Sequence, residues 1–163
     1  AALVLFAEEG FHATSTSKVA KRARVSEGLI FRHYKNKDGL LEAVMGVGEA
    51  KIKSLYADIV LETDPREVIR KTIEMPFDID ESEYEFWKLQ FKLKWEIKTY
   101  NAEKMEPMRM ALENAFKKLN YKDYSLEADL MLHILDGVAS AMLKNLVKNK
   151  SELKSFLLSK YNF

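Results

Sequence analysis

The stretch GFHATSTSKVAKRARVSEGLIFRHYKNKDGLL, residues 10–41, decides how this chain is read. Hydroxyl residues stand where helices begin: Thr14, Ser15 and Thr16 ahead of one short apolar run, Ser26 ahead of a second. Serine and threonine oxygens accept from the free amides of a first helical turn, which predicts helices over residues 14–23 and 26–33. A three-residue turn around Arg24 and Val25 separates them. Val19, Ala20, Val25 and Ile30 are apolar where the two short helices would meet, the pattern of a helix-turn-helix. Such a unit lays its second helix in the DNA major groove while the first crosses the backbone. Hydroxyls and unpaired amides at the helix starts suit phosphate oxygens.

Charge follows the same boundary. Residues 14–37 hold seven basic side chains (Lys18, Lys21, Arg22, Arg24, Arg32, Lys35, Lys37) against the single acid Glu27. That segment is +6 in a chain of net charge +1, so the remaining 139 residues carry −5. A basic patch on a mildly acidic body points to a polyanionic partner for the patch alone, double-stranded DNA being the one the motif suits.

Outward from this stretch the pattern stays helical. Five of the six glycines fall in the first 48 residues and all three prolines come later, so short helices with tight turns precede longer helices separated by proline breaks. Helical periodicity predicts about nine segments: residues 1–9, 14–23, 26–33, 37–61, 64–75, 81–100, 107–119, 125–147 and 151–161. Strand signals are almost absent, and the fold class is all-α. The expected division is a three-helix helix-turn-helix domain over residues 1–46 and a helical effector-binding and dimerisation domain over residues 47–163. The first helix opens already in pattern, so its start is expected upstream of Ala1. The 163 residues lack cysteine, which removes disulfide frameworks, thiol nucleophiles and cysteine metal sites. No run is long and apolar enough for a membrane span, and no signal peptide is evident. A cytoplasmic protein without a membrane partner is expected.

Residues 10–41 resemble the DNA-binding domain of the TetR (tetracycline-repressor-like) family of bacterial regulators. The resemblance rests on Leu5-Phe6 before Gly10-Phe11, then Thr14-Ser15, Val19-Ala20, Ala23, Val25-Ser26, Gly28, His33-Tyr34, Lys37 and Leu40-Leu41. It covers the first quarter of the chain; the remainder is similar only in its plan of about six further helices. The resemblance implies that Ser17 meets a base or phosphate, with Thr16 and Lys18 near the backbone; Thr14 and Ser26 are expected phosphate contacts from their hydroxyls at helix starts. It implies that Glu27, Gly28, Leu29 and Arg32 face the groove, and that Phe31, His33 and Lys37 grip phosphate. Three residues depart from the family pattern. Arg24 stands where a turn glycine is usual, and a left-handed conformation there would cost about 1–2 kcal/mol. Phe31 replaces a frequent tyrosine and has no hydroxyl. Glu27 is acidic, suited to a cytosine amino group or to the positive end of a helix.

The later helices bear on effector and partner. Over residues 81–100, Tyr84, Trp87, Phe91 and Trp95 share one face, and Phe86, Leu89, Leu93, Ile97 and Tyr100 the opposite one. Apolar on two sides, this helix is expected between other helices, lining whatever cavity the domain holds. Trp87, Gln90, Phe91, Trp95 and His133 are the candidate contacts for an apolar small-molecule effector, with plain core packing as the alternative for each aromatic. Residues 125–147 are apolar over a wide arc, and the resemblance implies a homodimer there, with Leu130, Ile134, Gly137, Val138, Ala141, Met142, Leu153, Phe156 and Leu157 at the interface. The three histidines are dispersed and no phosphate loop or nucleophile elbow occurs, so neither a catalytic residue nor a metal ligand nor a cofactor is expected. The expected function is a ligand-responsive regulator, a repressor binding a palindromic operator as a dimer. The alternative is a regulator of the same fold whose second domain binds a protein partner; an enzyme on a helical scaffold is a third reading.

Overall fold

A computed structural model describes residues 1–96 and 105–163, the side chains of residues 95 and 96 excepted. Among the described residues the chain is all-helical: α1 (Ala2–Glu9), α2 (Thr16–Ala23), α3 (Glu27–Tyr34), α4 (Lys37–Val60), α5 (Pro65–Glu74), a 3-10 turn (Glu81–Glu83), α6 (Tyr84–Glu96), α7 (Glu106–Lys118), α8 (Tyr124–Leu143) and α9 (Lys150–Lys160). Local chemistry sets most of these ends. Ser15, Ser26, Asp64 and Asn149 each accept from an amide of the first turn of α2, α3, α5 and α9. Pro65 and Pro107 occupy first turns, where a missing N–H costs nothing. Arg24 does end α2 in the left-handed region, at φ 57° and ψ 42°.

Two ends differ from the sequence expectation. α8 stops at Leu143, not near Val147, because Asn145 turns left-handed (φ 55°) and the amide of Leu146 donates to the carbonyl of Ala141. This is the helix-ending turn that asparagine tolerates next best after glycine. The helix expected from residue 81 begins as a 3-10 turn, since Asp80 accepts from Ser82 and tightens the first three residues.

The chain forms two compact units. One comprises residues 1–51 and 85–100; the other comprises residues 52–84 and 101–163. In the first, Leu5, Phe6, Ala7, Val19, Ala20, Ile30 and Leu40 make the core, and Leu93 of α6 joins them fully buried. α6 thus contributes to the core under the helix-turn-helix. Each of the larger buried side chains, valine, leucine, isoleucine and phenylalanine, contributes about 1.5–3 kcal/mol. Val25, expected in this core, is 39% exposed. In the second unit, α7 packs against α5 and α8, and Ile69, Ile73, Met108, Leu112, Phe116, Ala128 and Met131 are buried together. Ile97 and Tyr100 lie outside the described residues.

Candidate nucleic-acid interface

α2 and α3 are short, so their positions depend on what ties them down. Gly39, in the first turn of α4, explains the approach of α3: a Cβ there would lie 2.1 Å from the carbonyl oxygen of Tyr34. Lys35, at φ 67°, and Asn36, whose amide donates to Tyr34 O at 2.8 Å, make the tight turn between the two helices. Asn36 Oδ1 then accepts from the Gly39 amide and caps α4.

This scaffold leaves most of α3 in solvent. Only Ile30 is buried; Gly28, Leu29, Phe31, Arg32, His33, Tyr34 and Lys35 are exposed. Ser17 is exposed at the start of α2, and Ser26 at the start of α3. Ser26 accepts from the Leu29 amide, which leaves its own O–H free to donate. Lys21, Arg24, Arg32 and Lys35 carry no ion pair among the described residues. Ser17, Ser26, Gly28, Leu29, Phe31, Arg32 and His33 are therefore all open to solvent, in a stretch rich in unpaired cations.

Other expected contacts are engaged inside the unit. Thr14 is 1% exposed, and its hydroxyl bonds the carbonyls of Leu5 and Gly10, so its side chain faces the core and not a phosphate. Thr16 Oγ1 donates to Glu27 Oε1 at 2.6 Å, joining α2 to α3 and holding the Glu27 carboxylate at the start of its helix. Lys18 is paired with Glu9 at 2.6 Å and Arg22 with Glu8 at 3.3 Å. Both pairs are well exposed and worth little to stability, so a phosphate can compete for either cation. Glu8 and Glu9 were not singled out from sequence. The available signal was two carboxylates at a helix C-terminus, where the dipole disfavours them and a cationic partner is needed. Lys37 Nζ lies against three backbone carbonyls of the α1–α2 turn.

The candidate effector residues are scattered in character. Gln90 is 6% exposed and its amide donates to Val44 O at 3.1 Å; Gly48 admits it, since a Cβ there would sit 2.5 Å from the Gln90 side chain. This glutamine bolts α6 to α4, which accounts for its burial without a ligand. His133 is exposed and Phe91 half-buried, while the Trp95 side chain lies outside the described residues. Trp87 is 4% exposed, and its enclosed indole N–H has no hydrogen-bond partner among the described residues. A cavity of about 500 Å³ lies in the first unit among Ala2, Val25, Leu29, Tyr34, Val44 and Phe86, among others, and does not include these residues.

The expected interface residues also divide. Met142 and Leu157 are buried at 2% and 7% within the protomer and serve its own core. Leu130 and Phe156 are more than half exposed, Gly137 is exposed, and Ile134, Val138, Ala141 and Leu153 are half-buried.

Residues 1–44 match the family described as bacterial regulatory proteins, tetR family. The HTH-type transcriptional regulator YvkB of Bacillus subtilis is 49% identical over 45 residues, 28% of this chain and 24% of that protein. The HTH-type transcriptional regulator BetI of Yersinia pestis is 42% identical over 76 residues, 44% of this chain and 37% of that protein. The match thus spans a quarter to a little over a third of these relatives' length. Among solved structures, the TetR family regulator PfmR of Thermus thermophilus superposes with a TM-score of 0.69 at 16% identity, over 99% of this chain and 89% of that one. AibR, solved with isovaleryl coenzyme A and operator DNA, superposes with a TM-score of 0.72 at 17% identity, over 98% and 92%. At such identities the likeness is one of fold, and it extends the agreement from the first 44 residues to the helices that follow. Residues 1–44 are thus similar to the tetR family of bacterial regulatory proteins, and the helices that follow share the fold of solved regulators of that kind.

Proposed function

We propose that this chain is a dimeric transcriptional repressor that binds a palindromic operator through α3 and releases it when a small apolar effector binds. The observation that carries the reading is the exposed face of α3, where Arg32 and Lys35 are unpaired beside Gly28, Leu29 and Phe31. Guanidinium groups at such a position pair with guanine edges or phosphates, and Leu29 suits a thymine methyl. Ser17, Ser26 and His33 are exposed as well and serve the phosphate backbone, whereas the Thr16 hydroxyl already donates to Glu27.

One such module buries only about 600–1,000 Å² of protein surface on DNA, so specific affinity calls for two. On α8, Leu126, Leu130, His133 and Gly137 follow one another at spacings of four, three and four along an exposed stripe, and Phe156 of α9 is exposed as well. We assign this stripe to the twofold interface, without the buried Met142 and Leu157. For the effector, the support is Trp87: a buried N–H without an acceptor is costly, and a ligand oxygen would relieve it. Similar folds have been solved with isovaleryl coenzyme A and stearoyl-CoA; only the acyl part of these is apolar, so short and long acyl chains are the first compounds to try. An effector that binds one spacing of the two heads better than the other shifts operator affinity by that difference.

The test is selection of a palindrome from a randomised duplex library, then affinity measured across salt for the wild type and for Arg32→Ala. The selected site should be bound with a steep negative salt dependence. Arg32→Ala should lose about 1–3 kcal/mol on that site and relax the preference at one base position. An equal loss on every sequence would remove Arg32 from base reading, and no enrichment of any sequence would overturn specific binding.

A further inference from the structure

Lys37, the first residue of α4, has found acceptors for its whole ammonium group. Nζ donates to the carbonyl oxygens of Phe11 at 3.0 Å, His12 at 3.3 Å and Thr14 at 3.1 Å. It also stands 4.5 Å from the centre of the Phe11 ring, which packs edge-on against buried Phe6 at 5.2 Å. A lysine ammonium has three N–H donors and no acceptor. Three carbonyls therefore use all of them, and none remains for a phosphate oxygen.

Those carbonyls belong to the turn joining α1 to α2. Carbonyl dipoles aimed at one point repel each other, and a cation at their focus turns that repulsion into attraction. The turn runs directly into Ser15, the cap of α2, whose oxygen accepts from the Lys18 amide. The placement of the turn thus sets where the first amides of α2 stand, and these are the unpaired donors a helix offers to an anion.

We propose that Lys37 is a positioning residue for DNA binding, a strut from α4 that fixes the α1–α2 turn and aims the start of α2, instead of touching phosphate itself. The proposal rests on the DNA-binding reading above, and its test separates the two. A direct phosphate contact and a strut differ in salt dependence. Removing one phosphate contact lowers the slope of log affinity against log salt by about one unit, whereas removing a strut weakens binding at unchanged slope.

The whole 163-residue chain with Lys37→Met and with Lys37→Arg is to be titrated with the selected palindromic duplex at several KCl concentrations. Hydrogen exchange of the free proteins is to be followed at the hydrogen-bonded amides of Thr14, Lys18 and Val19. The strut predicts that Lys37→Met binds about tenfold more weakly or worse at the wild-type salt slope. It predicts no rescue by Lys37→Arg, whose planar fork cannot point three donors at one focus. It also predicts faster exchange at Thr14, Lys18 and Val19 without DNA present. A slope lowered by about one unit in Lys37→Met, with affinity restored by Lys37→Arg, overturns it. So does wild-type exchange in the free variants. If Lys37→Met fails to fold, Lys37→Arg decides alone: weaker binding supports the strut, wild-type binding rejects it. If the wild type binds no duplex, the DNA-binding reading fails, and the exchange rates still decide whether Lys37 holds the turn.

Discussion

α3 and α8 both leave a face in water, but of opposite kinds. α3 buries one residue in eight, Ile30, and exposes Arg32, Lys35 and a polar cap. α8 buries Ala128, Met131, Leu135, Met142 and Leu143 and still exposes Leu126 at 68% and Leu130 at 51%. A charged face is at ease in water and gains on meeting a polyanion, chiefly through release of counterions. An apolar face is costly to leave wet, and covering it is favourable without any charge. The two surfaces should therefore respond oppositely to salt: binding at α3 weakens as salt rises, while association at α8 does not. On the function proposed above, different forces would let the chain hold a second copy while releasing DNA.

Gly137→Glu should have the largest effect. A Cβ at Gly137 meets nothing within 4 Å in the protomer, so the variant should fold with unchanged helicity. In a twofold apolar seam it would place an unpaired charge, at a cost of about 3–5 kcal/mol to association. Monomers by sedimentation, with lost palindrome binding and residual weak non-specific binding, are the expected result; a dimer at the wild-type concentration range would mean the seam lies elsewhere. A smaller effect separates the two helices by their glycines. Gly39→Ala puts a methyl carbon 2.1 Å from Tyr34 O, so the end of α3 must move, at about 1–3 kcal/mol of stability. Its thermal midpoint should fall and its operator affinity with it. Gly137→Ala should leave protomer stability unchanged or raise it by up to about 1 kcal/mol, alanine being the better helix former. Equal midpoints for the two alanine variants would refute the close approach at Gly39.

The smallest expected effect lies in the second unit. The Lys71 ammonium donates to Glu62 at 2.5 Å, and the amides of Asp64 and Thr63 add to it, holding the carboxyl at about 2, below its ordinary 4.5. An acid depressed in this way stabilises the fold fully above about pH 4.5 and loses that contribution as pH falls towards about 2. Glu62→Gln removes it, so urea midpoints compared from about pH 5 to about pH 2 should fall less steeply in the variant than in the wild type. The difference is small because the pair is partly open to solvent. Parallel acid limbs would show that this carboxylate is not linked to folding.

How much was legible follows from the range of each interaction. Caps and turns act within four residues, so Ser15, Ser26, Asp64 and Pro65 could be read directly, as could the left-handed Arg24. The all-helical class, the helix-turn-helix and the family resemblance rest on such local signals repeated over some 40 residues. Thr14 shows where the reading ran out: a threonine at a helix start looks like a cap, yet its hydroxyl reaches back nine residues to Leu5 O and the side chain is buried. Nothing local distinguishes the two uses.

Local residue patterns specify the helices, their main breaks, the basic stretch and the family resemblance. The packing of the helices settles which cations on that stretch stay free. Lys18 and Lys37 have the same charge and similar surroundings in sequence, but one meets Glu9 and the other a ring of carbonyls 23 to 26 residues away. It likewise decided that Leu93 completes the core beneath α2 and α3 and that Gln90 bolts onto Val44, 46 residues distant. Partners at such separations depend on how whole helices pack, and packing sums many weak, non-directional contacts that no short window of sequence contains.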